Sequence, residues 1–391
     1  MDIINYIFPE DKEIVIYGAG KRGKFWLELL YRYGRCVKCF LDRNSLSEDI
    51  NGIPIIPLKS LPDFSGILLI SPIRDVENIY ALCKSLGFEN IVIGNLLKFI
   101  PFDDMSDEEV ACFPPFGAYY SLYPDFADVD ACYDQVLQDS KSGAGMDGID
   151  LNDSFQVKLL ENMNTLYPTR PQWSASSTDA HSKFRYMTQN NSFGFNDACV
   201  LHFILRIFNP ERLIEVGCGY SSAVTMDTCE YYLGERCSLS FIEPYPQRFL
   251  SLIRNGDKQK IDLQEKRLQD IPLEFFEPLD KNDVLFIDST HVSKLGSDVN
   301  HLFFHILPKL KSGVIVHFHD IFYPWQYPME WIKKGWGWNE MFLLRAFLMC
   351  NTQWEILYYG SYMEKVHYKE YNEAWKQEGI FCGGSFWMRK K

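Results

Sequence analysis

The stretch "RLIEVGCGYSSAV", residues 212–224, contains a short apolar strand, a turn with two glycines and the start of a helix. A second stretch, "EIVIYGAGKRGKF" at residues 13–25, has the same form. A turn between a strand and a helix directs backbone N–H groups toward a ligand at the helix N-terminus. The chain therefore carries two candidate ligand-binding turns, and the surrounding residues decide what each can bind.

Composition limits the classes of partner. The chain has 391 residues, a formal net charge of -13 and no block of basic residues before its last three positions. Phosphate backbones are bound by clustered Lys and Arg, so we expect no nucleic-acid partner. No window approaches 18 uninterrupted apolar residues, and the N-terminus "MDIINYIFPEDKE" has no basic region before an apolar one. We therefore expect no membrane span and a cytoplasmic protein with reduced cysteines.

The order of apolar runs predicts an α/β protein with two Rossmann-like domains. Residues 14–100 alternate short strands with helical patterns, and we assign 1–102 to a small nucleotide-binding or nucleotide-sugar-binding domain. Residues 103–150 are rich in acid, proline and glycine and are interpreted as a linker. Residues 151–391 contain a helical cap followed by seven strand candidates separated by helices, which predicts a doubly wound sheet.

The first turn has the pattern of a dinucleotide site. Gly18, Gly20 and Gly23 complete G-x-G-x-x-G between a strand and a helix, and Asp42 ends the next strand, where a ribose hydroxyl would lie. The stretch "VKCFLDRNSLSEDINGIPIIPLKSLPD" at 37–63 resembles the N-terminal Rossmann-like domain of bacterial sugar acetyltransferases. That resemblance implies a nucleotide or nucleotide-sugar ligand for this domain.

The second turn differs in a way that indicates another ligand. Glu215, Gly217 and Gly219 give E-x-G-x-G, and Ser221 and Ser222 stand where a third glycine would be. A ligand with an amino-acid end and no phosphates needs backbone donors and a nearby carboxylate, which favours S-adenosylmethionine. Further along the chain, the carboxylate of Glu243 follows the next strand and would meet ribose hydroxyls, and two side chains after the third strand would lie near an adenine amine: Gln269 and Asp270.

Several motifs together resemble a bacterial family of class I S-adenosylmethionine-dependent methyltransferases often found beside surface-polysaccharide functions. They are "EVGCGYSSAVTMDT" at 215–228, "FIEPYP" at 241–246, "DVLFIDSTH" at 283–291 and "HFHDI" at 317–321. The resemblance covers about residues 150–391. It implies a seven-stranded class I methyltransferase sheet and an enzyme that methylates an oxygen of a sugar or nucleotide-linked sugar in surface glycan synthesis.

Histidines and aspartates cluster at the ends of two later strands. Asp288 and His291 follow one strand, and His319 and Asp320 follow the next. Methyl transfer to oxygen needs a positioned acceptor and a proton acceptor, and a histidine with a near-neutral pKa suits the latter role. Two hypotheses stay open: a divalent metal held by Asp288, His319 and Asp320, or a metal-free base, His291 or His319, oriented by a carboxylate.

Aromatic residues flank this predicted site. Four of them either stack on the apolar face of a sugar ring or serve only to pack the domain: Trp325, Tyr327, Trp336 and Trp338. Two rival functions also stay open. One is a non-catalytic scaffold that binds nucleotide and cofactor, and the other is an NAD-dependent sugar oxidoreductase acting through the N-terminal domain. The expected partner is a small-molecule or sugar-nucleotide substrate, and a homo-oligomer is compatible with the sequence.

Overall fold

A computed structural model describes residues 7–42, 48–57, 64–71, 76–93, 129, 132–136, 138, 146–176, 182–333, 335–370 and 383–391. The chain divides into two compact units, Met1–Ala127 and Asp128–Lys391. Most of the linker predicted at 103–150 lies outside the described residues. Among the described helices, none is both long and apolar enough to cross a membrane.

The N-terminal unit is built on a six-stranded sheet with the order β3-β4-β2-β1-β5-β6. All pairs are parallel except β3 with β4. The central strands β1 and β5 are buried along their whole length, as expected for a sheet covered on both faces. The elements are β1 Ile14–Tyr17, α1 Lys21–Arg32, β2 Val37–Leu41, β3 Asp49–Ile50, β4 Ile53–Ile56, β5 Ile67–Ile70, α2 Val76–Ser85 and β6 Asn90–Ile93.

The C-terminal unit has the predicted seven-stranded doubly wound sheet. The strands are β7 Arg212–Val216, β8 Ser238–Ile242, β9 Ile261–Gln264, β10 Val284–Ile287, β11 Ile315–Phe318, β12 Trp354–Tyr359 and β13 Phe386–Lys390. Their order in the sheet is β12-β13-β11-β10-β7-β8-β9, and only β13 runs antiparallel to its neighbours. From β7 the chain adds β8 and β9 on one side of the sheet and then crosses over to add β10 on the other side of β7. Ligands of open α/β sheets bind at such a switch point, here between β7 and β10. The α/β fold class predicted from the sequence is confirmed.

Helices cover both faces of this sheet. They are α3 Asp153–Leu166, α4 Phe195–Phe208, α5 Tyr220–Tyr232, α6 Gln247–Leu252, α7 Asp298–His301, α8 Met329–Lys333, α9 Glu340–Leu348 and α10 Gly360–Val366. The helical pattern between residues 328 and 350 is divided into two separate helices, α8 and α9. Gly335 lies between them with a φ of +77°, a left-handed conformation that glycine adopts readily and that ends a helix.

The carboxyl edge of the sheet positions the polar residues singled out in the sequence. β10 and β11 are fully buried along their length, and the residues predicted to carry chemistry come just beyond the two strands. Gly217, Glu243, Asp288 and His319 directly follow β7, β8, β10 and β11. Parallel neighbours bring these four positions to one edge.

Candidate active site

The second glycine turn is packed directly against the end of β10. Gly217 has a φ of +82°, and a Cβ atom at this position would lie 2.0 Å from the carbonyl oxygen of Asp288. Its N–H donates to Ile242 O at 3.0 Å, and the N–H of Asp288 donates to Val216 O at 2.9 Å. A side chain at 217 would therefore force the turn away from Asp288.

Glu215 stands behind this turn and is fully buried. The hydroxyls of Ser221 and Ser222 both donate to its Oε1, at 2.6 and 2.8 Å, while its Oε2 has no hydrogen-bond partner among the described residues. Burial raises the pKa of Glu215 to about 8. A buried acceptor without a donor fits a ligand that brings one, as the ammonium end of S-adenosylmethionine would. Ser221 and Ser222 accordingly hold Glu215 in place.

The structure brings Glu243 to the same edge, where it is half-buried. Its Oε1 accepts the N–H of Tyr245 at 2.8 Å. Gln269 donates through Nε2 to Gly296 O at 2.7 Å. Asp270 is exposed and forms two hydrogen bonds with Arg267, at 2.8 and 2.9 Å, which lower the pKa of Asp270. The carboxylate predicted to approach adenine is therefore engaged by an arginine side chain in this structure.

The four predicted chemical residues converge beyond β10 and β11. Nε2 of His291 lies 3.4 Å from Asp288 Oδ1 and 3.7 Å from Asp320 Oδ2. Nδ1 of His319 lies 3.6 Å from the same Asp288 oxygen and 3.4 Å from the same Asp320 oxygen. The two carboxylates thus lie between two imidazole rings. We call Asp288, His291, His319 and Asp320 the strand-end cluster.

Charges within the strand-end cluster shift its pKa values. Burial alone would raise the pKa of Asp288, but His319 and His291 outweigh it and hold that pKa well below the ordinary range. Burial would lower the pKa of His291, yet its bonds to Asp288 and Glu340 raise it to about 10. The pKa of His319 is likewise raised, because Asp320 and Asp288 outweigh its burial. Both raised pKa values differ from the near-neutral value that suits a histidine base.

Two further carboxylates contact the histidines from the opposite side. Glu340, at the start of α9, places Oε2 3.0 Å from His291 Nδ1. Asp197, in the first turn of α4, places Oδ2 3.6 Å from His319 Nε2, and its Oδ1 accepts a hydrogen bond from Ser385 at 2.7 Å. The sequence around Glu340 does not mark it as a site residue, since an acidic residue in the first turn of a helix is ordinary.

The aromatic residues divide into core and surface. Trp325 and Tyr327 are buried in the core of the unit. Trp338 lies against His291 with ring centroids 4.2 Å apart, and Trp336 lies 4.8 Å from Trp338 with 42% of its surface exposed. Only the last two are placed to meet a substrate beside the strand-end cluster. His317 is buried in the core and stacks on Phe286, with ring centroids 3.9 Å apart.

The three residues of the metal hypothesis, Asp288, His319 and Asp320, lie close together and form ion pairs. Asp288 and Asp320 both face His319, and that histidine has a raised pKa. Within the part of the chain that the structure describes, no group of three or more His, Cys, Asp or Glu side chains is arranged to hold a metal ion. In this structure, Asp288 and Asp320 thus pair with the histidine rings of the strand-end cluster.

The first glycine turn is also formed, in the N-terminal unit. Gly18 has a φ of +97° and donates to Leu41 O at 2.8 Å, and Ala19 N–H donates to Asp42 Oδ2 at 2.7 Å. A Cβ atom on Gly23 would lie 1.9 Å from Gly18 O, whereas one on Gly20 would meet open space. The helix packs closely on the turn at Gly23, and the turn is open in front of Gly20.

Comparison with known proteins places the chemistry in the C-terminal unit. Residues 214–321 match a family described as a methyltransferase domain. An uncharacterized protein of Archaeoglobus fulgidus is 30% identical over 184 residues, which span 45% of this chain and 78% of that protein.

Solved structures similar to this chain include methyltransferases. The O-methyltransferase TomG of Streptomyces achromogenes is 14% identical, with a TM-score of 0.34 and coverage of 60% of this chain and 90% of TomG. The Podospora anserina methyltransferase PaMTH1 is 17% identical, with a TM-score of 0.33 and coverage of 60% and 88%. These scores are too low to transfer a substrate or a mechanism.

The sequence relation, the matched domain and the seven-stranded sheet agree with one another. The chain therefore belongs to the same family as the archaeal protein, and its C-terminal unit is a class I S-adenosylmethionine-dependent methyltransferase.

Proposed function

We propose that the protein transfers the methyl group of S-adenosylmethionine to an oxygen of a sugar or nucleotide-linked sugar in surface glycan synthesis. The observation that carries this proposal is the contact between the cofactor turn and the strand-end cluster. Gly217 packs on the backbone of Asp288, and the Asp288 carboxylate lies between His291 and His319. A methyl donor held at the turn would thus lie beside groups that can accept a proton.

The charge of the site favours a cationic methyl donor. Four carboxylates, those of Asp288, Asp320, Asp197 and Glu340, surround two imidazoles with raised pKa values. Even with both rings protonated, negative charge is in excess. S-adenosylmethionine, when bound, supplies a methyl group on a positively charged sulfonium. A pocket of opposite sign raises its local concentration and stabilises it near the cluster.

Asp288 is the group we assign as proton acceptor. Both ring nitrogens of His291 and of His319 already face carboxylates, whereas the Asp288 side chain is 33% exposed. The proton of an acceptor hydroxyl becomes strongly acidic as its oxygen forms the new C–O bond, so a weak carboxylate base is sufficient. The new C–O bond would replace the methyl C–S bond, whose electron pair would leave with sulfur as S-adenosylhomocysteine. The O–H electron pair stays on oxygen, the proton passes to Asp288, and the two histidines orient that carboxylate.

The acceptor side of the site is aromatic. Trp338 covers one face of His291, and the exposed ring of Trp336 extends that surface. Sugar rings present C–H faces that stack on tryptophan, so these two residues are assigned to acceptor binding. Replacement of Trp336 by Ala should raise KM for the acceptor more than it changes kcat.

The N-terminal unit is assigned to a nucleotide or nucleotide-linked sugar. The support is the open space in front of Gly20 and the complete turn around it. A backbone amide turn without an obstructing side chain lets a diphosphate approach the helix N-terminus. The rival hypothesis is that this unit is an NAD-dependent sugar oxidoreductase. It predicts that the full-length protein transfers hydride when NAD and a sugar are supplied together.

Calorimetric titration with S-adenosylmethionine tests the assignment, followed by a screen of nucleotide sugars for release of S-adenosylhomocysteine. Binding together with turnover on at least one sugar-containing acceptor supports the proposal. Turnover only on acceptors without a sugar would overturn the substrate class while leaving the methyltransferase intact. Metal analysis and chelator dialysis separate the two readings of the cluster, since a metal-free base retains its full rate in chelator.

A further inference from the structure

Glu340 is a buried acidic residue that does not belong to the strand-end cluster. Glu340 is the first residue of α9, 49 positions from His291, and its side chain is 1% exposed. Burying a carboxylate costs several kcal/mol unless it is paired and hydrogen-bonded. The contacts of Glu340 must therefore compensate for the free energy lost when its carboxylate is removed from water.

Both oxygens of Glu340 contact the segment that follows β10. Oε2 lies 3.0 Å from His291 Nδ1, and Oε1 accepts the Ser289 hydroxyl at 2.9 Å. Ser289 Oγ in turn accepts the N–H of His291 at 3.0 Å. The backbone N–H groups of Asn339 and Glu340 donate to His291 O at 3.0 and 3.2 Å. His291 is thus held at its ring, its N–H and its carbonyl by the start of α9 and by Ser289.

The conformation that these bonds hold is unusual for histidine. His291 has a φ of +58°, in the left-handed region that costs a non-glycine residue on the order of 1 kcal/mol. With Nδ1 held by Glu340, the other ring nitrogen faces Asp288 and Asp320. Trp338 closes one face of the ring. The strained backbone therefore points the imidazole at the two carboxylates of the strand-end cluster.

We infer that Glu340 is a positioning residue of the methyl-transfer site. It does not touch substrate: by fixing the His291 ring it sets where the Asp288 carboxylate lies when the acceptor proton leaves. This inference rests on the proposed role of Asp288. In other proteins, carboxylates behind a ligating histidine act in this way, and their removal typically costs about 10-fold to 100-fold in metal affinity or activity.

The test uses the full-length protein and the variants Glu340→Gln and Asp283→Asn. Asp283 is a matched control because it is also a buried carboxylate and directly precedes β10, at the end opposite to Asp288. It accepts hydrogen bonds from the backbone N–H groups of Glu211 and Arg212. Glu340→Gln should lower kcat about 10-fold to 100-fold and leave the Kd for S-adenosylmethionine within about twofold. Asp283→Asn should lower Tm without lowering kcat.

Nitrogen NMR of histidine-labelled protein gives a second readout that needs no turnover. The Nδ1–H signal of His291, assigned by its loss in His291→Asn, should shift in Glu340→Gln and stay unchanged in Asp283→Asn. If the wild type shows the hydrogen-bonded signal but no methyl transfer, the proposed function fails while the Glu340–His291 contact stands. An unchanged kcat in Glu340→Gln, or an equal loss of kcat in the control, overturns the inference.

Ser289→Ala keeps the experiment decisive if Glu340→Gln does not fold. It removes only the hydroxyl that holds Glu340 Oε1 and the His291 N–H. We expect a fall in kcat of a few fold with the Kd for S-adenosylmethionine unchanged. A Ser289→Ala protein with wild-type kcat would likewise contradict a positioning role for Glu340.

Discussion

The two glycine turns have the same backbone design and different surroundings. In the N-terminal unit, Asp42 of the following strand accepts a hydrogen bond from Ala19 within the turn itself. In the C-terminal unit, the acid Glu215 stands before the turn, and one of its buried oxygens has no donor in the part of the chain that the structure describes. The first turn thus engages its neighbouring carboxylate internally, whereas the second leaves an acceptor for a ligand.

The neighbouring strand also differs between the two turns. Gly217 packs against Asp288, whose side chain belongs to the strand-end cluster. At the first turn, the adjacent strand β5 is followed by Ser71, whose hydroxyl donates to Tyr17 O at 2.8 Å and so closes on the backbone. A glycine turn serves chemistry only where the next strand along the edge ends in groups that can act on a substrate.

The largest expected effect is the loss of kcat when Asp288, the proton acceptor proposed for the C-terminal unit, is replaced. Asp288→Asn should lower kcat about 1000-fold, because the amide cannot take the proton from the acceptor. Release of S-adenosylhomocysteine measures the rate. Asp280→Asn is the control, since Asp280 is exposed and precedes β10 at the end opposite to Asp288, and it should retain kcat. Comparable losses in the two variants would refute the assignment of Asp288.

A pair of alanine substitutions compares the two turns directly. Gly217→Ala should weaken S-adenosylmethionine binding at least about 100-fold, because its Cβ atom would lie 2.0 Å from Asp288 O at a φ of +82°. Gly20→Ala adds a methyl group in open space and should leave that affinity unchanged. Calorimetry gives both values, and melting temperatures report any change of fold. Equal affinities for the two variants would contradict the placement of the cofactor.

The raised pKa of His291 predicts a pH dependence of stability in the C-terminal unit. Its folded pKa of about 10 lies above the ordinary 6.5, so its contribution is complete below about pH 6.5 and is lost as pH rises to about 10. The difference in free energy of unfolding between wild type and His291→Asn should shrink over that range. Asn is chosen because it tolerates a positive φ. Urea denaturation at several pH values measures it, and a constant difference would disprove the ion pairing.

The smallest expected effect concerns the first turn. Asp42→Asn weakens the bond to Ala19 N–H, which should lower the stability of the N-terminal unit by about 1 kcal/mol. The Kd for S-adenosylmethionine should stay within about twofold. Thermal unfolding and calorimetry on the full chain test both statements. A marked loss of S-adenosylmethionine affinity would mean that the two turns do not act separately.

Much of the fold and part of the site could be predicted from the sequence. In the C-terminal unit, apolar runs of four to six residues separated by helical patterns located the seven strands, and their order predicted a doubly wound sheet. In the N-terminal unit, the short strands β3 and β4 were not predicted. Because parallel strands end at one edge, Asp288 and His319 had to be neighbours once β10 and β11 were identified. The glycine patterns likewise located both turns, since only glycine fits positions such as Gly217.

Other features depended on the tertiary structure, because they join residues far apart in the chain. Nothing near Glu340 indicates that it contacts His291, and nothing near Asp197 indicates its approach to His319. Glu340 adds to Asp288 in raising the pKa of His291, and Asp197 adds to Asp320 and Asp288 in raising the pKa of His319, so the local sequence accounts for only part of each shift. The sequence by itself determined which groups stand at the sheet edge, and the packing of helices α4 and α9 decided how those groups are charged and oriented.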